Sequence, residues 1–193
     1  KQIREIHTDE ELTSFINNKI KPTISQWKVN NRSNFMRIGF DSMQQYRVKF
    51  ILARITKYVD VRRKNGGAAS NVAEFYEGGI EIEHIMPQKY SAAYGISEDD
   101  YNAAKQRLGN LTLLEKTINA SIGDDAFASK SEAYRQSAYY LTRSIAQLDD
   151  VGQQTAINRM NQKLRSWSSW GPSMIEDRQA ILYDLSEEIW NID

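Results

Sequence analysis

The 193-residue chain contains no cysteine and only two histidines, His7 and His84. Without thiols there is no disulfide scaffold, no thiol redox chemistry and no sulfur or multi-histidine zinc site. No apolar run approaches the roughly 20 residues that span a bilayer, and no signal peptide opens the chain, so a cytoplasmic protein with no membrane partner is expected. A Gly-rich phosphate loop, internal repeats and low-complexity tracts are also missing.

Net charge is absent too, with 25 Lys+Arg against 25 Asp+Glu. A uniformly basic surface is thereby excluded, but the distribution is uneven. Residues 1–70 hold 14 basic against 6 acidic side chains, a net of +8, and residues 71–193 hold 11 against 19, a net of −8. A basic lobe beside an acidic one suits a protein that grips phosphate with the first and holds a cation with the second.

Hydrophobic spacing reads as mostly helix. Thr8-Asp9-Glu10-Glu11 reads as a helix start ahead of Leu12, Phe15, Ile16 and Ile20, a face expected to be core, running to Pro22. Asp41 is expected to cap a long helix through Tyr46, Phe50, Ile51, Ile55, Tyr58 and Val59, ended by Gly66-Gly67, with Arg62, Arg63 and Lys64 in its last turn. The small residues Gly66 to Ala69 read as a linker. Gly79-Ile80-Glu81-Ile82-Glu83 alternates as a strand, with Leu111 to Leu114 as its partner and a helix capped at Ser97 between them. A short helix from Asn119 through Phe127 follows, then one from Lys130 to Leu148 with Tyr134, Ala138, Leu141, Ile145 and Leu148 on one stripe. Two more come after it, the last opening at Ser173 with Glu176 in capping register, and Trp167, Trp170 and Trp190 are expected to pack this end together. The organisation expected is a basic helical lobe over 1–70, a core over 71–148 and C-terminal helices over 149–193.

One stretch carries chemistry: Glu83-His84-Ile85-Met86-Pro87, then Leu108-Gly109-Asn110-Leu111-Thr112-Leu113-Leu114, then Asn119. Phosphodiester hydrolysis needs a base for the attacking water and a positive charge for the leaving oxygen. A neutral imidazole at His84 supplies the base. Glu83 and Asn119 offer hard oxygen ligands suited to Mg²⁺ or Mn²⁺, with Glu81, on the same strand face as Glu83, as the second-ranked carboxylate. Asn110 completes the catalytic set of His84, Asn110 and Asn119, in a supporting role: an amide after a glycine holds a loop against a strand. In a regular strand Glu83 and His84 face opposite ways, so the strand is expected to end or bulge there, as Pro87 favours.

The ordered set resembles an HNH, or ββα-metal, finger, and in detail the C-terminal HNH nuclease domain of GmrSD-type restriction systems and the related Ssp nicking effectors of phage defence. The resemblance rests on Glu83 to Gln88, Leu108 to Leu114 and Asn119, and extends through Phe127, Lys130, Tyr134, Ser137 and Arg178 to Ile189-Trp190, about residues 45 to 190. It implies a mostly α fold, a helical domain with an embedded ββα-metal (His-Me finger) motif, and a metal-dependent DNA endonuclease acting as the effector of a restriction or anti-phage system. His84 would be its general base, with Glu83 and Asn119 on Mg²⁺ or Mn²⁺. A single finger would nick one strand. Lys130 is the lysine that the resemblance favours for neutralising DNA phosphate, and Arg135, Lys105 and Arg107 are further DNA-contact candidates. The resemblance also implies a nucleotide-binding regulatory domain N-terminal to this piece, which opens at Lys1 rather than methionine. The competing expectation is a non-catalytic module that binds DNA or docks on a partner; RNA as substrate is a third.

Overall fold

Thr8 opens the first helix as expected: its hydroxyl accepts from the Glu11 N–H while the Glu11 carboxylate accepts from the Thr8 N–H. The computed structural model describes residues 5–64 and 71–190, and among these the fold is mostly helical with one two-stranded sheet. Helix α1 (Asp9–Phe15) runs through a π-helical turn (Ile16–Ile20) into α2 (Lys21–Lys28), followed by α3 (Asn31–Phe35). The Leu12, Phe15, Ile16, Ile20 face is not core. No residue from Asp9 to Lys28 is buried, because no other element packs over that face closely enough to exclude water.

Helix α4 (Gln45–Arg63) is the scaffold of the body. Val48, Leu52, Ile55 and Val59 recur at helical spacing and are wholly buried, each contributing about 1.5–3 kcal/mol by leaving water. Asp41 does not cap it: the N-cap is Gln44, with no side-chain hydrogen bond. The expected Gly66-Gly67 stop and the Gly66 to Ala69 linker lie outside the described residues.

Strand β1 (Ile80–His84) pairs antiparallel with β2 (Leu111–Glu115), in a register that sets Glu81 opposite Leu114, Glu83 opposite Thr112 and His84 opposite Leu111. Strand alternation therefore gives the pair two unlike faces. Ile80, Ile82, Leu111 and Leu113 pack onto the α4 core. Glu81, Glu83, Thr112 and Leu114 face the other way, where Leu114 joins a second core with Ile85, Met86, Ile122, Tyr134, Trp170 and Ile175. Between the strands, α5 (Glu98–Gln106) is capped by Ser97 as expected.

Helix α6 (Lys116–Ile122) starts directly from β2, so Asn119 lies within it rather than at its start. It stops at Gly123, whose φ of 46° lies in the left-handed region, and Phe127 opens α7 (Phe127–Tyr134) instead of closing α6. The single helix expected from Lys130 to Leu148 is two, α7 and α8 (Tyr140–Ala146). The break has a partner in β2: the Glu115 carboxylate accepts from the Ser137 hydroxyl and the Ala138 N–H, taking an amide that a continuous helix would have used.

Helix α9 (Ala156–Asn161) and α10 (Pro172–Trp190) close the chain, α10 starting one residue before Ser173 with proline at its first position. Trp167 and Trp170 pack edge to face with centroids 5.2 Å apart, but Trp190 is exposed. Helix α10 lies hard against the Leu108–Asn110 turn. A Cβ added to Gly109 would sit 2.0 Å from the Ile175 carbonyl oxygen and 2.9 Å from the Gln179 Cβ. No helix among the described residues is long and apolar enough to cross a membrane.

Candidate functional site

The end of β1 is locked by Asn110. Its Oδ1 accepts from the Met86 N–H at 2.7 Å and the Trp170 Nε1–H at 2.9 Å, while its Nδ2 donates to the Met86 carbonyl at 3.2 Å and the Lys105 carbonyl at 2.9 Å. Both donors and both lone pairs of this buried amide are thus used inside the protein. The Asn110 carbonyl adds a bond from the Ile85 N–H at 2.9 Å. The turn is gripped from behind by α10, where Arg178 donates to the Gly109 and Leu111 carbonyls at 2.8 and 2.7 Å and Gln179 accepts from the Gly109 N–H at 3.2 Å. Arg178 is fully buried, and burial draws its guanidinium down to about 9.

His84 is the last residue of β1 and is buried, its ring edge-on to Phe40 at 4.9 Å. Its Nδ1 has no hydrogen-bond partner. Burial above all, with the charges of Lys130 and Lys105, lowers the imidazole pKa to about 4, against a smaller opposing pull from Asp124. The ring is therefore neutral at ordinary pH, the form that accepts a proton.

Glu83 leaves the opposite face of the strand, as the regular pairing through His84 requires. The strand ends at His84 without first bulging. The Glu83 Oε1 accepts from the Lys130 ammonium at 2.7 Å and the Tyr134 hydroxyl at 2.9 Å, and the same ammonium donates to the His84 carbonyl at 2.8 Å. Burial pushes the Glu83 carboxyl up; the Lys130 charge and the hydrogen bonds from Lys130 and Tyr134 draw it back. Burial and Glu83 together push the Tyr134 hydroxyl well above its ordinary range.

Asn119 is brought to Glu81 rather than to Glu83, donating to its Oε2 at 2.8 Å. Among the described residues no three His, Asp or Glu side chains gather as a metal cage. The donor set next to α6 is thus an amide and a carboxylate, with the second carboxylate, Glu83, one pleat further along the same face. Two hard oxygen ligands completed by water and phosphate fit Mg²⁺ or Mn²⁺, and rotating the Asn119 amide turns its oxygen, instead of its nitrogen, toward the carboxylate side.

Each cation expected at DNA phosphate is held by a partner within the protein. Lys130 is 1% exposed and committed to Glu83, which corrects its reading as a phosphate-facing lysine: an ammonium left unpaired at that depth would be costly. Lys105 donates to the Gln88 carbonyl at 2.8 Å, Arg107 to Gln179 and the Met36 carbonyl, and Arg135 is paired with Glu132. Asp124 was missed by sequence reasoning. Its carboxylate accepts from the Gln88 and Lys89 N–H groups at 2.7 and 3.0 Å, across a separation of 36 residues that leaves no local signal. The Trp170 bond to Asn110 was missed for the same reason.

A family model described as GmrSD restriction endonucleases, C-terminal domain, matches residues 26–185. Neither a curated protein nor a solved structure matches the chain.

Proposed function

We propose, from the premise that the chain belongs to the family of GmrSD restriction endonuclease C-terminal domains, that it is the metal-dependent DNA-cutting unit of such a system, an HNH-type nickase. The family carries the coarser statement, a nuclease of the restriction type with DNA as substrate. The observation that supports the finer one is His84: a buried imidazole held neutral, its Nδ1 without a protein partner, at the end of a strand. Buried polar atoms are almost always satisfied, and among the described residues His84 Nδ1 is one of six that are not, the one on a group able to take a proton at ordinary pH.

In this reading His84 takes the proton of the attacking water through Nδ1. Asn119, Glu81 beside it and Glu83 on the same face would hold Mg²⁺ or Mn²⁺. The bound cation would supply positive charge for the oxygen that leaves. Lys130 holds the Glu83 carboxylate and the His84 carbonyl with one ammonium, tying the Glu83 side chain to the backbone that carries His84. His84 and the carboxylates leave opposite faces of β1. One such site per chain cuts one strand, and an N-terminal nucleotide-binding domain would regulate it.

The test is conversion of supercoiled plasmid to open circle in Mg²⁺ or Mn²⁺. Nicking by the parent chain, lost in His84→Ala and on adding EDTA, is the expected result. Metal-independent DNA binding with no nicking would replace the reading with a non-catalytic module.

A further inference from the structure

Beside the turn that follows β1 lies a cleft of about 740 Å³. Four aromatic side chains line it among mostly small and polar residues. Phe127 and Trp170 stack at 5.5 Å with 25° between their planes, and Tyr90 and Tyr94, each packed edge to face on buried Tyr101, line it as well. Asp124 and Lys89, both exposed, supply one charge of each sign.

The cleft and the candidate site are one hydrogen-bonded unit. Pro87, three residues past His84, lines the cleft. Trp170 donates to the same Asn110 oxygen that holds the Met86 N–H, and Asp124 holds the next two N–H groups, those of Gln88 and Lys89. Whatever enters the cleft therefore meets the segment that presents His84.

The chemistry of the lining selects the occupant. Aromatic walls favour a flat π face, and every nucleobase has one. A carboxylate at the rim accepts from the exocyclic amino groups of bases, and the two backbone bonds leave Asp124 lone pairs for this. The ammonium of Lys89 complements a flanking phosphate. We propose that this cleft is a nucleobase pocket, receiving one unstacked base of the DNA strand whose phosphate meets His84. The inference rests on the nuclease reading for its substrate and adds where that substrate is read.

The test separates the two. In EDTA, where nothing is cut, the domain is titrated with a short single-stranded oligonucleotide and with a chain of equal length in which every base is replaced by an abasic tetrahydrofuran residue. The parent chain should favour the base-bearing strand about 10-fold. Ala128→Trp, which fills the cleft from an exposed position, and Tyr94→Ala, which removes a wall, should each abolish that preference while leaving affinity for the abasic chain unchanged. In Mg²⁺ or Mn²⁺ the same variants should raise KM for nicking about 10-fold, with kcat within about 2-fold. Equal binding of both strands by the parent, or variants that bind and nick as the parent does, would overturn the pocket while leaving nicking intact. A parent that fails to nick but keeps the base preference would remove the nuclease reading alone.

Discussion

From Glu83 to Pro87 every residue is buried, and from Asp9 to Lys28 none is. Yet Asp9 to Lys28 carries apolar side chains at helical spacing, and Glu83 to Pro87 opens on a carboxylate and a histidine. The contrast separates two properties that periodicity runs together. Leu12, Phe15, Ile16 and Ile20 have the pattern of a core face, yet among the described residues none packs over them closely enough to bury them. Glu83 and His84 have the composition of a surface and lie inside: Lys130 and Tyr134 supply the bonds that burial of the Glu83 carboxylate demands, and Lys130 also holds the His84 carbonyl.

If that contrast is real, the largest loss comes from Asn110→Ala. It strips partners from the Met86 N–H and the Trp170 Nε1–H at once, and at about 1–3 kcal/mol for each group left unpaired the expected cost is roughly 2–6 kcal/mol in urea unfolding. Lys130→Met should cost roughly 2–4 kcal/mol, since it leaves the Glu83 carboxylate buried alone. Lys130→Met combined with Glu83→Gln should recover part of that loss; a strictly additive double variant would show that the two do not act as a pair.

A smaller effect appears as pH falls. The folded His84 has a pKa of about 4 against 6.5 for the free side chain, so the unfolded chain takes up the proton first. The contribution is full above about pH 6.5 and is lost as pH drops toward 4, up to about 2–3 kcal/mol. Unfolding free energy measured across that window should fall more steeply for the parent than for His84→Gln, and parallel curves would refute the buried neutral imidazole. The smallest effect belongs to the other region. Leu12→Ala and Trp27→Ala should each change stability by less than about 0.5 kcal/mol, because nothing packs on either side chain tightly enough to leave a cavity.

Much of the candidate site was legible, and for local reasons. Alternation from Ile80 to Glu83 and the apolar run after Gly109-Asn110 report a strand pair whatever surrounds them, and Ser97 and Thr8 announce helix starts within one turn. What stayed hidden depends on groups far apart in sequence. The Lys130–Glu83 pair spans 47 residues. Neither it nor the Glu115 carboxylate that splits the expected 130–148 helix leaves a mark on neighbouring residues. Glu81 ranked behind Glu83 because the strand pattern treats them alike; the position of α6, which brings Asn119 to Glu81, distinguishes them.

Gly109 gives the last of these long-range constraints a practical form. The turn that carries Asn110 is cast against the backbone of α10, with no room for even one carbon between them. The strands and α6 are therefore not a cassette. A chimera that transplants residues 80–122 into a foreign scaffold would carry the letters of the site without the mould that shapes them, and shortening the chain from its C-terminal side would erase that mould from a distance of some 70 residues.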